Sequence, residues 1–433
     1  MNLTLRPVPR LAGETGVPGD KSITHRALLL GALGDGPTRI RGYLDGGDCR
    51  ATVGCLRSLG IDVQEVSADE LVVHGRGLRG WRAPCEPLDC VRSGTTMRLM
   101  AGLLAGQSFS VVLGGDEQLL RRPMQRVVEP LRRMGADILG ARGDDVPPLH
   151  IAGTPLRGAR HELSIASAQV KSCLLLAGLY AEGSTEVLEP GPSRDHTERM
   201  LRARGVDLVS MGLLHTLRGP ARHLTALDVT VPGDFSSASF LVVAALLAPS
   251  AEVRIRHVGV NPTRTGLLDA LGAMGAVVRL EDTRDEGGEP VADLVVTPQQ
   301  LGASTVGGDL VPRMIDEFPI LALAATQANG VTEIRDASEL RVKETDRVAT
   351  VAQELRALGA RIEERSDGLT IHGPTPLRGT AVDSHGDHRL AMTLAVAGLV
   401  AEGETVVRGA ECIMDSFPGF VEALASLAQG GVQ

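Results

Sequence analysis

A unit of roughly 70–85 residues recurs six times along the 433-residue chain, and this repetition constrains the fold more than any other feature. The first half of each unit is an apolar helix that opens on polar residues and leads through a Gly-containing turn into a β-rich run. The six helices start at Lys21, Ser93, Ser167, Asp234, Asp316 and Asp387. Because they are apolar on nearly every side, we expect all of them to be buried in domain cores.

The second half of each unit is an amphipathic helix that stops at a glycine, followed by a strand of alternating pattern. The glycines are Gly60, Gly135, Gly205, Gly275 and Gly359, the usual left-handed stop after a last helical turn. The sixth copy ends after the helix Phe420–Ala428. Leu3–Gly19 resembles Leu369–Gly386, so we expect the N-terminal strands to complete the last unit.

These patterns predict an α/β fold of two domains, each built from three βαβαββ-type units with buried helices. One domain spans residues 20–231, and the other combines residues 1–19 with 232–433. The chain crosses between them near Gly19 and near Pro232–Gly233. Two such crossings, both carrying Gly and Pro, predict a two-strand hinge that would allow closure over substrates.

Composition narrows the functional classes. A net charge of −9 and only nine aromatic residues argue against nucleic-acid binding, which favours a basic face and stacking rings. No apolar run reaches the ~18 residues of a membrane span, and the N-terminus lacks the apolar core of a signal peptide. The six cysteines are scattered without C-x-x-C spacing, which favours reduced thiols over disulfides or zinc. We therefore expect a cytoplasmic protein that is not bound to membranes.

The basic residues are distributed unusually, because only three of the 44 are lysines. A buried lysine can lose its proton, whereas arginine effectively cannot, so each lysine invites a functional question. Lys171 lies inside an apolar run, and we attribute no role to it. The charged surroundings of Lys21 and Lys343 indicate function.

The helix starts point to small anions as ligands. The first N–H groups of a helix lack intrahelical partners and attract negative charge. If the repeats are related by symmetry, their N-termini converge on one surface. The polar residues placed there are Lys21, Ser22, Gly94, Ser167, Gln169, Asp316, His388 and Arg389.

Three further segments carry charge, and each has an ordinary alternative. Arg122 before Pro123 can grip a carboxylate or phosphate with a bidentate fork, or be a surface cap. Read as one helix, Glu339–Arg347 places Lys343 and Arg347 on one face, either functional or simply exposed and salt-bridged. Asp316 is either a general base facing a cleft or a plain N-cap.

A metal site is not expected. The segment Asp383–Arg389 holds two His and two Asp, but it lacks a third ligand at clear spacing. A helix start that presents His388 and Arg389 to an anion fits this segment better.

Four motifs occur in a fixed order: P-G-D-K-S-I-T-H-R from Pro18, S-G-T-T-M-R from Ser93, R-V-K-E-T-D-R from Arg341 and D-H-R-L-A-M from Asp387. Together they resemble the enolpyruvyl transferase family over essentially the whole chain. The resemblance implies two inside-out α/β domains of three units each. It also implies transfer of the enolpyruvyl group of phosphoenolpyruvate to a substrate hydroxyl, with release of phosphate and without metal or cofactor.

Within the family, the chain is more similar to the branch that acts on shikimate 3-phosphate, in aromatic amino acid biosynthesis. The branch that acts on UDP-N-acetylglucosamine typically carries a Cys in the glycine loop, and here that loop reads G-G-D-E-Q-L-L-R-R-P. A third possibility is a non-catalytic anion-binding protein on the same scaffold. We expect a monomer whose partners are small molecules.

The resemblance also assigns residues. Shikimate 3-phosphate is expected to contact Lys21, Ser22, Arg26, Ser167, Ala168, Gln169, Asp316 and Lys343. Phosphoenolpyruvate is expected to contact Lys21, Gly94, Arg122, Gln169, Arg347 and Arg389. The expected catalytic residues are Lys21, Asp316 as base at the hydroxyl, and Glu344 with Lys343 as the proton-transfer pair at carbon.

Four positions depart from the family pattern. Arg92 and Glu339 stand where members often have Asn, and Ala168 stands where many have a second Ser. Asp415 occupies a position at which some members place a Lys near phosphoenolpyruvate, so we leave it out of the site.

Overall fold

A computed structural model describes residues 1–144, 146–428 and 432. The chain divides into two compact units. The first unit comprises residues 1–18, 232–285 and 290–433, and the second comprises residues 19–231 and 286–289. None of the helices in the described residues combines the length and the apolar character that a membrane span requires.

The strands, in chain order, are β1 (Asn2–Leu5), β2 (Leu11–Thr15), β3 (Pro37–Arg41), β4 (Asp62–Ser67), β5 (Glu70–His74), β6 (Leu88–Asp89), β7 (Ser110–Gly114), β8 (Asp137–Gly140), β9 (Val146–Ala152), β10 (Arg160–Glu162), β11 (Gly183–Leu188), β12 (Leu208–Met211), β13 (Leu214–Gly219), β14 (Val229–Thr230), β15 (Ala251–Gly259), β16 (Arg279–Glu286), β17 (Glu289–Val296), β18 (Thr305–Val306), β19 (Gly330–Ile334), β20 (Arg361–Arg365), β21 (Gly368–Gly373), β22 (Ala381–Asp383) and β23 (Thr405–Arg408).

The helices are α1 (Lys21–Leu33), α2 (Gly47–Ser58), α3 (Gly94–Ala105), α4 (Gln125–Arg133), the left-handed turn α5 (Ala141–Asp144), α6 (Ala168–Gly178), α7 (His196–Ala203), α8 (Phe235–Leu247), α9 (Gly266–Ala273), α10 (Leu310–Arg313), α11 (Phe318–Thr326), α12 (Arg347–Ala357), α13 (His388–Val400) and α14 (Phe420–Ala428). Three 3-10 helices cover Leu119–Arg121, Ser338–Val342 and Ala410–Asp415.

The sheets repeat one plan. In each, a short edge strand runs parallel to its neighbour, and the remaining strands follow antiparallel. Five sheets have the orders β14-β3-β5-β4, β6-β7-β9-β8, β10-β11-β13-β12, β2-β15-β17-β16 and β18-β19-β21-β20. The sixth runs β22-β23-β1, and Val432 bridges to Leu5 on its far side. The predicted α/β fold of repeated units is confirmed.

The six apolar helices α1, α3, α6, α8, α11 and α13 lie in the two cores, as the sequence predicted. In α11 every residue is buried, and in α8 only the last residue is not. Each fully buried leucine contributes about 1.5–3 kcal/mol relative to an exposed one. Burial on all sides is therefore what fixes these helices, because they offer no polar face to solvent.

The glycine stops are also confirmed. Each of the helices α2, α4, α7, α9 and α12 ends two residues before a glycine with positive φ. These glycines are Gly60 at 81°, Gly135 at 93°, Gly205 at 83°, Gly275 at 90° and Gly359 at 99°. A residue with a Cβ would be strained there.

Except for β14, each parallel edge strand precedes its parallel partner in the chain, and within each compact unit this exchange closes into a ring. β14 pairs in parallel with β3, at Val229 and Ile40, and so returns to the first sheet. β2 likewise pairs with β15 of the fourth sheet. The N-terminal strands therefore do not both complete the last unit. β1 joins β23, whereas β2 fills the parallel edge of the fourth sheet, the place that β14 takes in the first.

Candidate active site

In the unit of residues 19–231, α1 presents the first predicted group. The carboxylate of Asp20 accepts a hydrogen bond from the Ile23 N–H at 2.9 Å and so caps the helix. Lys21 is the first helical residue, and its Nζ lies 3.0 Å from Oδ2 of Asp48. Arg194 donates from Nη1 to the Ser22 hydroxyl at 3.4 Å. A cap, a lysine and a hydroxyl thus share one helix start.

Arg26 lies one turn further along α1 and is buried. Its guanidinium donates to the Ser22 carbonyl at 2.9 Å, the Ser172 hydroxyl at 2.7 Å and the Thr197 hydroxyl at 2.6 Å. Burial lowers the pKa of Arg26 to about 10, although nearby carboxylates, first that of Glu198, oppose the shift. Arg26 therefore fastens the start of α1 to α6 and α7.

Gly94 is the first residue of α3, and the guanidinium groups of Arg98 and Arg122 lie close to it. A Cβ at this position would stand 2.9 Å from Nη1 of Arg98 and 3.1 Å from Nη1 of Arg122. Arg98 is buried and also donates to the Pro123 carbonyl at 3.2 Å. The absence of a side chain at Gly94 thus gives both arginines room beside the helix start.

The start of α6 joins this group through Gln169. Its Oε1 accepts from Arg98 at 2.5 Å, and its Nε2 donates to Thr95 at 2.9 Å. Ser167 and Ala168 are half-buried beside it. Side-chain contacts therefore bring together the predicted residues of α1, α3 and α6 within this unit.

His25 makes this unit acid-sensitive. Its Nδ1 lies 2.7 Å from the Thr52 hydroxyl, and burial lowers the pKa of His25 to about 3. The folded pKa lies below the ordinary value of about 6.5, so the unfolded chain binds more protons between the two and stability falls as pH falls. His25→Gln should remove a slope of about 1.4 kcal/mol per pH unit in this window, measured by urea unfolding. His150→Gln, at an exposed position, should leave the slope unchanged, and an equal slope in the His25 variant would contradict the assignment.

In the other unit, Arg347 is buried among carboxylates at the start of α12. Its guanidinium lies 2.7 Å from both Asp387 and Glu344, and 3.4 Å from Asp316. Burial by itself would lower the pKa of Arg347, but these three carboxylates raise it above its ordinary value. For Asp387, burial would raise the pKa, yet the Arg347 guanidinium holds it below the ordinary value.

Asp316 joins this cluster to α13. Its second carboxylate oxygen lies 3.3 Å from Nη2 of Arg389, so it stands between two arginines. The cap position of α11 is occupied by Glu317, which excludes the reading of Asp316 as a plain N-cap. Asp387 caps α13 by accepting from the Arg389 N–H at 2.9 Å. The structure thus groups the predicted Asp316, Glu344, Arg347 and Arg389.

Residues 339–347 do not form one helix, which corrects that interpretation. A 3-10 helix covers Ser338–Val342, and α12 begins at Arg347 because Asp346 caps it through the Ala349 N–H at 3.1 Å. Lys343 lies in the break, with Nζ 3.7 Å from Oε1 of Glu339. Burial lowers the pKa of Lys343, although Glu339, Asp316 and Glu344 oppose the shift.

Sequence reasoning missed several residues of these clusters. Arg98 and Asp387 lie inside quoted motifs but received no role, and Asp48 and Arg194 stood outside all of them. The departures also have contacts: Arg92 pairs with Asp116 at 2.9 Å, and Glu339 faces Lys343. Asp415 ends the last 3-10 helix and is half-buried.

Lys171, to which the sequence assigned no role, has charged partners. Its ammonium is buried and lies 2.6 Å from Glu189 and 2.7 Å from Glu198. His215 completes a group whose ligand-type atoms, one each from Glu189, Glu198 and His215, lie within 4.8 Å of one another. Such a trio could hold a cation, and the Lys171 ammonium bridges its two carboxylates.

Comparison with known proteins gives consistent results. A family model described as EPSP synthase (3-phosphoshikimate 1-carboxyvinyltransferase) matches residues 5–424. The 3-phosphoshikimate 1-carboxyvinyltransferase of Geotalea uraniireducens is 51% identical over 421 residues, which cover 97% of this chain and 98% of that protein.

Solved structures are similar over the same length. EPSP synthase from Acinetobacter baumannii aligns with a TM-score of 0.89 and 41% identity, covering 100% of this chain and 99% of its own. The enolpyruvyl transferase NikO from Streptomyces tendae aligns with a TM-score of 0.81 over 100% and 98% of the two chains. Its identity is 22%, so that likeness concerns the fold alone.

Proposed function

The chain belongs to the EPSP synthase family, and we propose that the residues gathered at its two sets of helix starts carry out that family's reaction. The protein is an enzyme that transfers the enolpyruvyl group of phosphoenolpyruvate to the 5-hydroxyl of shikimate 3-phosphate. The resemblance to enolpyruvyl transferases in the four motifs is thereby confirmed. The relatives at about 50% identity favour this acceptor over UDP-N-acetylglucosamine.

Each of the two sets of helix starts supplies some of the groups that bind the substrates. In the unit of residues 19–231, the cations and amide at the starts of α1, α3 and α6 suit a phosphate and a carboxylate, which arginine holds best through paired hydrogen bonds. In the other unit, Arg347 and Arg389 add two guanidiniums. The residues proposed for shikimate 3-phosphate are Lys21, Ser22, Arg26, Ser167, Ala168, Gln169, Asp316 and Lys343, and those for phosphoenolpyruvate are Lys21, Gly94, Arg122, Gln169, Arg347 and Arg389.

The reaction proceeds by addition and then elimination. The 5-hydroxyl oxygen bonds to C2 of phosphoenolpyruvate as its proton passes to Asp316, and a proton from the Lys343–Glu344 pair bonds to the methylene carbon. The tetrahedral intermediate then returns a proton from the resulting methyl group to the Lys343–Glu344 pair, re-forms the C2–C3 double bond and expels phosphate, which takes up the proton held by Asp316. Lys343 suits proton transfer because burial lowers its pKa, which brings it nearer to neutral pH.

One observation carries this assignment. Asp316 contacts both Arg347 and Arg389, the two cations of this unit that we assign to phosphoenolpyruvate. A base for the hydroxyl therefore stands beside the groups that would hold the other reactant, and Glu344 contacts the same Arg347.

The test is release of inorganic phosphate. With shikimate 3-phosphate and phosphoenolpyruvate together, we expect steady phosphate release, and with either substrate alone none. Release with UDP-N-acetylglucosamine instead would show the wrong acceptor. Substrate binding without any release would indicate a non-catalytic anion-binding protein, and loss of release in Lys21→Met would support catalysis.

Gly94→Ala tests the phosphoenolpyruvate side. The new Cβ would displace the ends of Arg98 and Arg122, which are flexible, so the fold should persist. A charge-assisted hydrogen bond contributes about 1.5–3 kcal/mol, so KM for phosphoenolpyruvate should rise roughly 10- to 100-fold. In Gly54→Ala the Cβ meets nothing within 4 Å, and this variant should keep its KM. An unchanged KM in Gly94→Ala would remove Arg122 from the site.

We also propose an oligomeric state, a location and a motion for the protein. The protein acts as a monomer, in the cytoplasm, and closes about the hinge predicted at its two Gly–Pro crossings. The six cysteines are free thiols, which supports a reducing compartment. Analytical ultracentrifugation tests the monomer, and small-angle scattering with and without both substrates tests closure.

A further inference from the structure

The buried cluster around Lys171 joins three segments of the 19–231 unit. Lys171 lies on α6, one turn after Ser167, whose carbonyl accepts its backbone N–H at 3.0 Å. Glu189 directly follows β11, and Glu198 lies on α7. A single ammonium thus ties α6 to both ends of the β11–α7 loop.

The loop itself is held by the same groups. The ammonium of Lys171 lies 3.4 Å from the Ser193 carbonyl oxygen, and the Ser193 hydroxyl donates to Glu189. His215 supports the cluster from β13, with Nε2 3.1 Å from Glu189. The residue after Ser193 is Arg194, whose guanidinium contacts the Ser22 hydroxyl. Lys171 is therefore linked to Ser22 through the loop. Its ammonium contacts Ser193, and the next residue, Arg194, contacts Ser22.

We propose that Lys171 is a positioning residue for the shikimate 3-phosphate side of the reaction. Its ammonium fixes the β11–α7 loop so that Arg194 stands beside Ser22, at the start of α1. This inference rests on the proposed function, in which Ser22 and Ser167 contact shikimate 3-phosphate. Lys171 touches no reacting atom and acts only through the loop.

The positive charge of Lys171 compensates the buried carboxylates of Glu189 and Glu198. A buried carboxylate without a partner is costly, so Glu189 and Glu198 need a cation between them. Arg26 does not take its place, because its guanidinium is held by hydrogen bonds to Ser22, Ser172 and Thr197. Without the ammonium, both carboxylates must turn toward water or take up protons, and the loop that carries Arg194 moves with them.

Steady-state kinetics test the proposal. In Lys171→Met, KM for shikimate 3-phosphate should rise on the order of 10-fold or more, as expected when a binding group is displaced by about 1 Å. KM for phosphoenolpyruvate should stay within twofold, and Lys171→Arg should restore most of the loss. Equal changes in both KM values, or an unchanged KM for shikimate 3-phosphate, would overturn the proposal.

Two measurements guard against misfolding and against a wrong assignment of function. Replacing the pair together, in Lys171→Met with Glu189→Met, leaves fewer unpaired charges and should fold, yet should show the same KM change. Calorimetric titration with shikimate 3-phosphate reports the same loss of affinity without turnover. If the unmutated protein binds shikimate 3-phosphate but releases no phosphate, the proposed function fails while the positioning role is still measured.

A double-mutant cycle identifies the route. Because Lys171 acts through Arg194, adding Lys171→Met to Arg194→Met should cause no further rise in KM for shikimate 3-phosphate. If the two effects multiply instead, Lys171 acts by another path and the proposal is wrong.

Discussion

Asp316→Asn should lower kcat by about 10²- to 10⁴-fold, the usual contribution of a positioned general base. An amide of the same shape can still accept hydrogen bonds from Arg347 and Arg389 but cannot take the proton of the 5-hydroxyl. The loss should therefore appear in kcat, measured by phosphate release at saturating concentrations of both substrates. KM for each substrate should change much less.

The matched control is Asp309→Asn. Asp309 is exposed and makes no side-chain cap at the start of α10. The activity of the Asp309→Asn variant should therefore equal that of the unmutated protein. If Asp316→Asn kept kcat within tenfold, the proton of the hydroxyl would have to pass to another group. Glu344 and Lys343 would then be the next residues to vary.

Arg347→Met should both destabilise the protein and abolish binding of phosphoenolpyruvate. The side chain of Arg347 is 1% exposed and faces three carboxylates, so its removal leaves buried negative charge uncompensated. Breaking such a buried pair costs about 3–5 kcal/mol, measured as a fall in the free energy of unfolding by urea. Arg361→Met, at an exposed position on β20, should cost little.

The same variant should show a characteristic pH dependence. In the unmutated protein the pKa of Asp387 lies below its ordinary value, so this group adds stability at neutral pH that is lost as pH falls through the folded pKa. Without Arg347 that stabilisation is gone, and the carboxylates accept protons more readily. The stability difference between the two proteins should narrow as pH is lowered below about 4, the ordinary pKa of an Asp, toward the folded pKa of Asp387, and a constant difference there would contradict this account.

Much of the fold could be predicted because it depends on local patterns. Apolar residues on all sides of α8 and α11, and glycines after α2 or α12, are visible within a dozen residues of sequence. The pairing of β2 with β15 could not be predicted, because the register of Leu11 with Ala251 joins positions that are distant in sequence. A two-residue strand such as β14 carries too little pattern to show its partner.

The site residues, too, could be predicted only where the signal is local in the sequence. The scarcity of lysine singled out Lys21 and Lys343, and both lie in clusters of charge. It did not reveal the partners of Lys171, because an apolar neighbourhood says nothing about the carboxylates of Glu189 and Glu198, which approach from other elements. Asp387 was missed similarly: its role follows from contact with Arg347, 40 positions earlier.

The closed exchange of edge strands also determines when each strand can pair while the chain is being synthesised. β1 and β2 leave the ribosome before the other described strands, but their partners β23 and β15 emerge much later. At 5–20 residues per second, β2 waits about 10–50 s for β15, while the intervening unit can complete its own ring as soon as β14 emerges. β1 waits still longer, because β23 is the last of the described strands to emerge, so one of the first strands to be made is among the last to pair.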